Sequence, residues 1–437
     1  MRVFEHQEIK IGNTDADLPL DIWDYVVDIN TKMIDEGTIK RPFYKISGLG
    51  VIKFSSYAGI LLLGGNSIEI LPKIFRKNEV SEEHYKSAFL SFLKMMSYIL
   101  GYEEKDLGDS LRIIESEKAN ILEVLILLFT AQLKRALRIG PFQNYESVVI
   151  ENEYLAGKVL IERQLMHPGQ VKLIQETFLY APNTELMRYM KSSTLLFLKL
   201  TQNRSTKQEL DKILRYMDEV EIFPLQLLKS KHISISRLAD HFKGPYFQTR
   251  LILDGLSFLS DDRSNQRSIS FLFDMNKKFE EFLAEFIERN ARKLFPNYIQ
   301  CKVNKQYSEK WLFHGRPSRK LKPDLLLELK NQNSTKVIII DAKYKVLDHV
   351  NFEQEEIPDV VISDLYQMYA YSTKHNAIDT VIVYPSNISK CRYQNEFLPG
   401  RHFMVWSIDV NLNETNWEDV LIRDFKTELI NKLHLWG

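Results

Sequence analysis

Two carboxylates and an amine stand close together in the stretch KPDLLLELKNQNSTKVIIIDAKYK, which runs from Lys322 to Lys345. Asp324 opens one apolar run, Asp341 closes the next, and Lys343 follows two residues later. Taking Asn331–Ser334 as a turn between antiparallel strands, Lys330 faces Thr335 and Asp324 falls opposite Asp341. Facing residues of neighbouring strands have Cβ atoms roughly 5 Å apart. Two acids at that distance repel in a dry site unless a cation lies between them. Asp341 and Lys343, at i and i+2, share one sheet face. Such a cluster suits a hard divalent ion. Mg²⁺ takes few protein carboxylates and keeps positions for water and substrate phosphate oxygens. An ion there would ease deprotonation of an attacking water and neutralise charge on a phosphate, with Lys343 orienting the water or stabilising the developing charge. Taken singly the patterns are ordinary, since Pro-Asp opens many turns and an acid two residues before a lysine is common. The apolar strand Val337–Ile340, the workable register and the flanking helices make the combination specific.

Other residues can serve such a site. Glu280 and Glu281 lie early in a preceding helix, where one can add an acidic contact to the metal and where both could equally be solvated helix acids. Gln367 and Tyr371, i and i+4, share one face of a following helix and can orient the site or touch DNA. Between Cys301 and Lys330 stand Lys302, Lys305, Lys310, Arg316, Arg319, Lys320, Lys322 and Lys330 against Glu309, Asp324 and Glu328. A local excess of basic charge beside a metal site suits phosphate-backbone contact. Lys320, Lys322, Lys345 and Tyr371 are the expected DNA contacts. His314 and His349 lack a second histidine or cysteine at ligand spacing and read as surface residues.

The elements that must hold these groups follow from periodicity and punctuation. The spacing of MNKKFEEFLAEFIERNARKLF predicts an amphipathic helix over Met275–Phe295, with Phe279, Phe282, Leu283, Phe286 and Ile287 on its apolar face. A strand is expected at Tyr298–Asn304, then the hairpin, a helix at Val361–Thr373, and strands at Thr380–Pro385 and Phe403–Val410. Upstream, Gly50–Phe54 reads as a strand and Gly59–Ile74 as two strands around Gly64-Gly65-Asn66, closed by Pro72. Helices are expected at Asp21–Gly37, Ser81–Leu100, Ala119–Ile139, Thr184–Leu200, Thr206–Val220 and Tyr246–Leu259. Tyr145–Leu165 is mixed, with a strand pair or a turn near Gly157. The polar run Ser260–Ser268 reads as a linker.

Bulk composition excludes several classes. At 437 residues the chain is long for one domain. With 44% apolar and 27% charged residues it is globular. Its 58 basic and 58 acidic residues cancel, so any basic surface must be local. Cys301 and Cys391 have neither metal-ligand spacing nor a disulfide framework. Nothing at the N-terminus reads as a signal peptide, and the run Ile121–Leu133 is too short to span a bilayer. A cytoplasmic protein without a membrane partner is expected. No glycine-rich nucleotide loop of the Walker type occurs, so nucleotide hydrolysis by this chain alone is not expected.

Lys322-Pro323-Asp324 with IIIDAKY at Ile338–Tyr344 resembles the PD-(D/E)XK nuclease superfamily, and FEEF at Phe279–Phe282 and DLYQMYAY at Asp364–Tyr371 sharpen the match. Adding SIEILPKI (Ser67–Ile74) and YLAGKVLIERQL (Tyr154–Leu165), the layout resembles the McrC family, the nuclease subunits of McrBC-type 5-methylcytosine restriction systems. Residues 178–268 match only as generic helices. The resemblance implies a multi-domain α/β (α+β) chain: a β-rich N-terminal partner-engaging domain over 1–115, a mostly helical middle region over 116–265, and a PD-(D/E)XK restriction-endonuclease-like α/β domain over 266–437. It further implies Mg²⁺ on Asp324, Asp341 and the Ala342 carbonyl, a catalytic Lys343, and roles for Glu280 and Gln367. The expected partners are double-stranded DNA and a McrB-like hexameric AAA+ GTPase, which the N-terminal portion would stimulate. That last expectation rests on the resemblance alone. Two rival readings are a non-catalytic adaptor, against which the intact Asp324, Asp341 and Lys343 speak, and a free-standing repair nuclease, against which an N-terminal portion unlike a nuclease speaks. Arg41, Lys53 and Lys73, basic and near expected strand ends, are assigned no role.

Overall fold

The computed structural model describes residues 1–12, 17–63, 66–75, 81–101, 120–260, 267–308, 310–311, 320–332, 334–345, 359–386, 389–414 and 416–433. The chain forms two compact units, one made of Met1–Glu104 with Ser257–Gly437 and the other of Lys105–Leu256.

The first unit holds a six-stranded sheet in the order Gln300–Lys305, Leu325–Lys330, Thr335–Ala342, Asp379–Ser386, Arg401–Asp409, Lys390–Leu398. The first three strands are antiparallel; Thr335–Ala342, Asp379–Ser386 and Arg401–Asp409 then run parallel to one another. Central strands covered on both faces read as near-continuous apolar runs, as Val337–Ile340 and Val381–Val383 do. On one face Ile339, Ile382, Tyr384, Phe403 and Val405 pack with Met368 and Tyr371 of helix Asp359–His375. On the other, Trp406 meets Phe425 edge-on at 4.3 Å between ring centroids, and Phe425 lies 5.1 Å from Phe286 of helix Met275–Leu294. All five apolar residues expected on that helix's face are buried, each contributing about 1.5–3 kcal/mol by removal from water. Asp274 caps the helix by accepting the Asn276 N–H.

The same unit carries a five-stranded sheet in the order Arg2–Phe4, Asn66–Leu71, Tyr57–Leu63, Arg267–Asp274, Leu256–Ser260. The hairpin expected around Asn66 is present, with Leu63 opposite Asn66; its turn residues 64 and 65 lie outside the described residues. The run Ser260–Ser268, expected as a linker, is corrected. Its ends belong to neighbouring strands of this sheet, and only 261–266 lie outside the described residues. Polarity suggested a boundary where the chain makes a strand connection. Gly59, at φ +145°, lies opposite Leu272, and a Cβ there would sit 2.0 Å from the Phe271 carbonyl oxygen. Glycine is therefore required for the two strands to close. A three-stranded sheet, Glu8–Lys10, Val51–Phe54 and Tyr44–Gly48, packs with helix Leu20–Asp35 in one apolar cluster.

Residues near the two ends of the chain meet within this unit. Tyr98 donates its hydroxyl to Glu418 Oε1 at 2.7 Å, and Asn413 Nδ2 donates to the Ser87 carbonyl at 3.0 Å. Helices Glu82–Ile99, Ile121–Ile139 and Glu185–Leu200 follow the expected bounds, and each has a local start signal: Ser81 accepts the His84 N–H, Asn120 that of Glu123, and Thr184 that of Met187.

The second unit combines the helices Ile121–Ile139, Glu185–Leu200, Arg204–Tyr216 and Lys243–Gly255 with a sheet of Asn144–Asn152, Leu173–Ala181 and Lys158–Val159. The mixed stretch around Gly157 is thus the return of a strand pair. Buried Gln175 holds it, accepting the N–H groups of Ala156 and Gly157 at 2.7 and 2.9 Å and donating to the Tyr154 carbonyl at 2.7 Å.

Candidate functional site

The hairpin register is the one expected. Lys330 pairs with Thr335 and Leu325 with Ile340, so Asp324 stands one step beyond the last pair, opposite Asp341. Asp324 then turns its side chain to the neighbouring strand, where Oδ2 accepts the Ala342 N–H at 2.8 Å. Asp341 is 1% exposed, and among the described residues no donor but the Lys343 ammonium reaches its carboxylate. The Lys343 ammonium makes an ion pair with Asp341 Oδ2, as the shared face requires.

The surroundings disfavour two charged carboxylates in the absence of a cation. Burial, followed by Asp341 and Glu280, pushes the Asp324 carboxyl well above the usual range, against the opposing Ala342 N–H and Lys343. Burial also raises Asp341, with Lys343 opposing it and Asp364 adding to it. Lys343 loses hydration, which works against its charge, but Asp341, Asp324 and Asp364 outweigh that loss and raise its pKa. Glu280 is raised by burial, partly offset by Gln306.

A hard cation fits this donor set. Asp341 Oδ1 is buried without a hydrogen-bond donor, Oδ2 meets the Lys343 ammonium, and Asp324 contributes a second carboxylate. Among the described residues no three His, Cys, Asp or Glu side chains converge closely enough to enclose an ion by themselves. Mg²⁺ uses one or two protein carboxylates and leaves the rest of its shell to water and substrate.

A hydrogen-bonded chain orients Lys343. Its Nζ donates to Gln367 Oε1 at 3.3 Å, Gln367 Nε2 donates to the Tyr371 hydroxyl at 2.7 Å, and that hydroxyl donates to the Lys322 carbonyl at 2.9 Å. Gln367 therefore joins the cluster. Tyr371, expected among the DNA contacts, is 4% exposed with its hydroxyl engaged in this chain; burial makes it a positioning residue. Lys345 pairs with Asp364 at 2.8 Å, Lys320 lies over the Trp311 ring at 5.1 Å, and Lys322 is exposed. Arg316, Arg319, His314 and His349 lie outside the described residues.

Three groups at the site escaped sequence reasoning. Gln306, at φ +45°, donates its N–H to the Asp324 carbonyl and its Nε2 to Glu280 Oε1, both at 2.8 Å. It ties the helix acid to the hairpin. Asp364, also buried, accepts both Lys345 and the Tyr384 hydroxyl, the latter at 3.1 Å. Glu5 is fully buried behind Tyr344; its Oε2 accepts the Tyr344 hydroxyl at 2.8 Å and the Lys73 N–H at 2.9 Å. Burial lifts Glu5 to about 7 against the pull of Lys73. Only Asp364 carried a signal, an acid at i−3 to Gln367 on the helix face that holds Met368 and Tyr371. Glu5 and Gln306 lie far from the hairpin or outside any pattern.

Comparison with known proteins gives three findings. A family model described as McrBC 5-methylcytosine restriction system component matches residues 52–385. Among curated proteins none matches. Among solved structures, a half-complex from the tetradecameric assembly of Thermococcus gammatolerans McrB AAA+ hexamers with bound McrC aligns at TM-score 0.66 and 20% identity, covering 97% of this chain and 99% of that one. The Thermococcus gammatolerans McrBC complex aligns at TM-score 0.50 and 22% identity, over 67% of this chain and 88% of that one. At these identities the structures show a shared fold. No helix among the described residues is long and apolar enough to cross a membrane.

Proposed function

Because this chain belongs to the McrBC 5-methylcytosine restriction system component family, we propose that it is the Mg²⁺-dependent DNA endonuclease subunit of such a system, with a PD-(D/E)XK-type site, working with a McrB-like AAA+ GTPase. The observation that carries the reading is the buried Asp341 carboxylate, with Oδ1 lacking a hydrogen-bond donor and Oδ2 paired with Lys343. Asp324, Asp341 and the Ala342 carbonyl would hold Mg²⁺, which supplies Lewis-acid charge neutralisation at the scissile phosphate when bound.

This chain's own groups do the rest. Lys343, held by Gln367, presents its ammonium where a phosphate oxygen gains charge or where a water is aligned for attack. Glu280, held by Gln306, adds a further anion to the cluster. Burial excludes bulk water and strengthens each of these interactions. Lys320 and Lys322 offer backbone phosphate contacts beside the hairpin, as does Lys345 where its pair with Asp364 opens.

The AAA+ partner has a separate basis. Tyr145, Val149, Phe178 and Tyr180 are exposed on the three-stranded sheet of the second unit, with Leu155, Ile161 and Met166 exposed nearby. Clustered exposed apolar groups mark protein-interaction surfaces. We therefore place partner engagement on this sheet as well as on the N-terminal portion.

The test compares wild type with Asp341→Ala, each with and without the AAA+ protein encoded alongside it, on methylated and unmethylated duplex DNA in Mg²⁺. The reading expects a loss of cleavage of about 10²–10³-fold or more for the variant. Equal cleavage by both refutes the site and favours an adaptor that only stimulates or binds. Full cleavage by wild type without the partner favours a free-standing nuclease.

A further inference from the structure

A cavity of about 530 Å³ opens in the first unit and is lined by Lys40, Arg41, Lys45, Ser55 and His6 among others, none of them a residue of the Asp324–Asp341 hairpin. Lys40, Arg41 and Lys45 are exposed, and no ion pair ties them to a carboxylate among the described residues. Among the described residues on the wall the one acid is Asp274, which caps its helix: Oδ1 accepts both the Asn276 N–H at 3.0 Å and its Nδ2 at 2.9 Å. Ser55 Oγ is buried and has no hydrogen-bond partner. A hydroxyl left in that condition is costly unless a ligand or ordered water satisfies it.

His6 shows the sign of the local field. Its backbone adopts φ +60°, a conformation L residues seldom keep unless the surroundings impose it, and such positions cluster at functional sites. Its Nε2 lies 3.2 Å from Ser56 Oγ and 3.5 Å from Lys73 Nζ, so it accepts from at least the ammonium and is the unprotonated ring nitrogen. Burial first, then Lys73, Lys53 and Lys45, pulls the imidazole down to about 4. The wall is thus preset for negative charge.

We propose that this cavity is a phosphate-binding site, in which Arg41 and Lys45 grip the phosphate oxygens, Lys40 adds charge at the rim and Ser55 donates its hydroxyl. Arginine's planar fork and lysine's point charge both suit this task. The phosphate is that of a DNA backbone or a free phosphate. The DNA source rests on the reading above, whereas the free-phosphate source does not. Continuity with the candidate site favours DNA. Lys73, adjacent to His6, also lies over the Tyr344 ring at 4.6 Å, and Tyr344 is the neighbour of Lys343 in sequence.

The experiment uses the full chain in EDTA, so that cleavage plays no part. Inorganic phosphate is titrated while the ring resonance of His6, assigned with His6→Gln, is followed. In parallel, affinity for a short duplex is measured across a salt series. The comparisons are Arg41→Gln/Lys45→Gln, exposed and charge-neutralising, and Ser55→Ala. For a free-phosphate site, the His6 resonance saturates with phosphate, its titration midpoint moves up by a unit or more, and the double variant binds at least tenfold more weakly. For a DNA-backbone site, the double variant lowers the slope of log K against log salt by about 1–2, at about 1 per lost phosphate contact. Either result supports the pocket and names its source. Silence of His6 to phosphate together with an unchanged salt slope overturns it. A chain that passes either arm but cuts no DNA with its partner refutes only the nuclease reading.

Discussion

Asp324→Asn should make the metal-free protein more stable while removing its cleavage. The carboxyl of Asp324 is largely buried, faces Asp341 and Glu280, and is raised far above the ordinary aspartate value of 3.8. The direction of linkage follows. An acid whose pKa is raised by folding binds its proton more tightly in the native state. Its contribution to stability is complete below the unfolded pKa and is lost as pH rises toward the folded one. Each unit of displacement that survives relaxation and water entry costs about 1.4 kcal/mol. Asparagine keeps an oxygen for the Ala342 N–H and carries no charge, so the loss disappears. We expect a gain of about 1–2 kcal/mol at pH 8 in EDTA, or roughly 2–8 °C in melting temperature for a unit of this size. The gain should shrink toward pH 4. Adding Mg²⁺ at ten times its Kd stabilises wild type by about 1.4 kcal/mol and the variant by much less, so the two curves converge. Thermal melts at pH 4.5 and 8, with EDTA and with Mg²⁺, test this. A variant that melts below wild type in EDTA at pH 8, or whose advantage does not vary with pH, refutes the account of the site as an anion pair awaiting a cation.

Other outcomes follow from single contacts. Glu5→Gln should flatten the stability profile between pH 5 and 7.5. The wild-type carboxyl, raised to about 7, loses about 2–3 kcal/mol of stability across that range, and urea unfolding at a series of pH values reads the difference. Gly59→Ala places a methyl 2.0 Å from the Phe271 carbonyl; strand separation should cost roughly 3 kcal/mol or more, measured as a lower melting temperature, and an unchanged melt would contradict the close approach. Phe178→Asp, at an exposed position of the second unit, should leave the melting temperature within about 1–2 °C of wild type yet abolish co-elution with the AAA+ partner. Gln306→Ala frees Glu280 and should raise the Mg²⁺ needed for half-maximal cleavage several-fold without changing DNA affinity in EDTA.

What the sequence determined by itself was local. A run of alternating or continuous apolar residues, a turn of Asn331–Ser334 and a spacing of two place Asp324, Asp341 and Lys343 in register from local pattern alone. The 3.6-residue period did the same for Met275–Leu294, whose five apolar anchors are all buried. Strand geometry and helix pitch act over a few residues, so neighbours in sequence carry enough information to fix them. Tertiary structure decided whatever depends on distant segments meeting. Nothing near Glu5 announces that it will lie against Tyr344, nothing in Gln306 that it will bridge Asp324 and Glu280, and the polar run after Ser260 concealed the fact that Arg267–Asp274 returns to pair with Tyr57–Leu63. Burial and like charge, which shift the carboxyls of the site, exist only once those segments close around it.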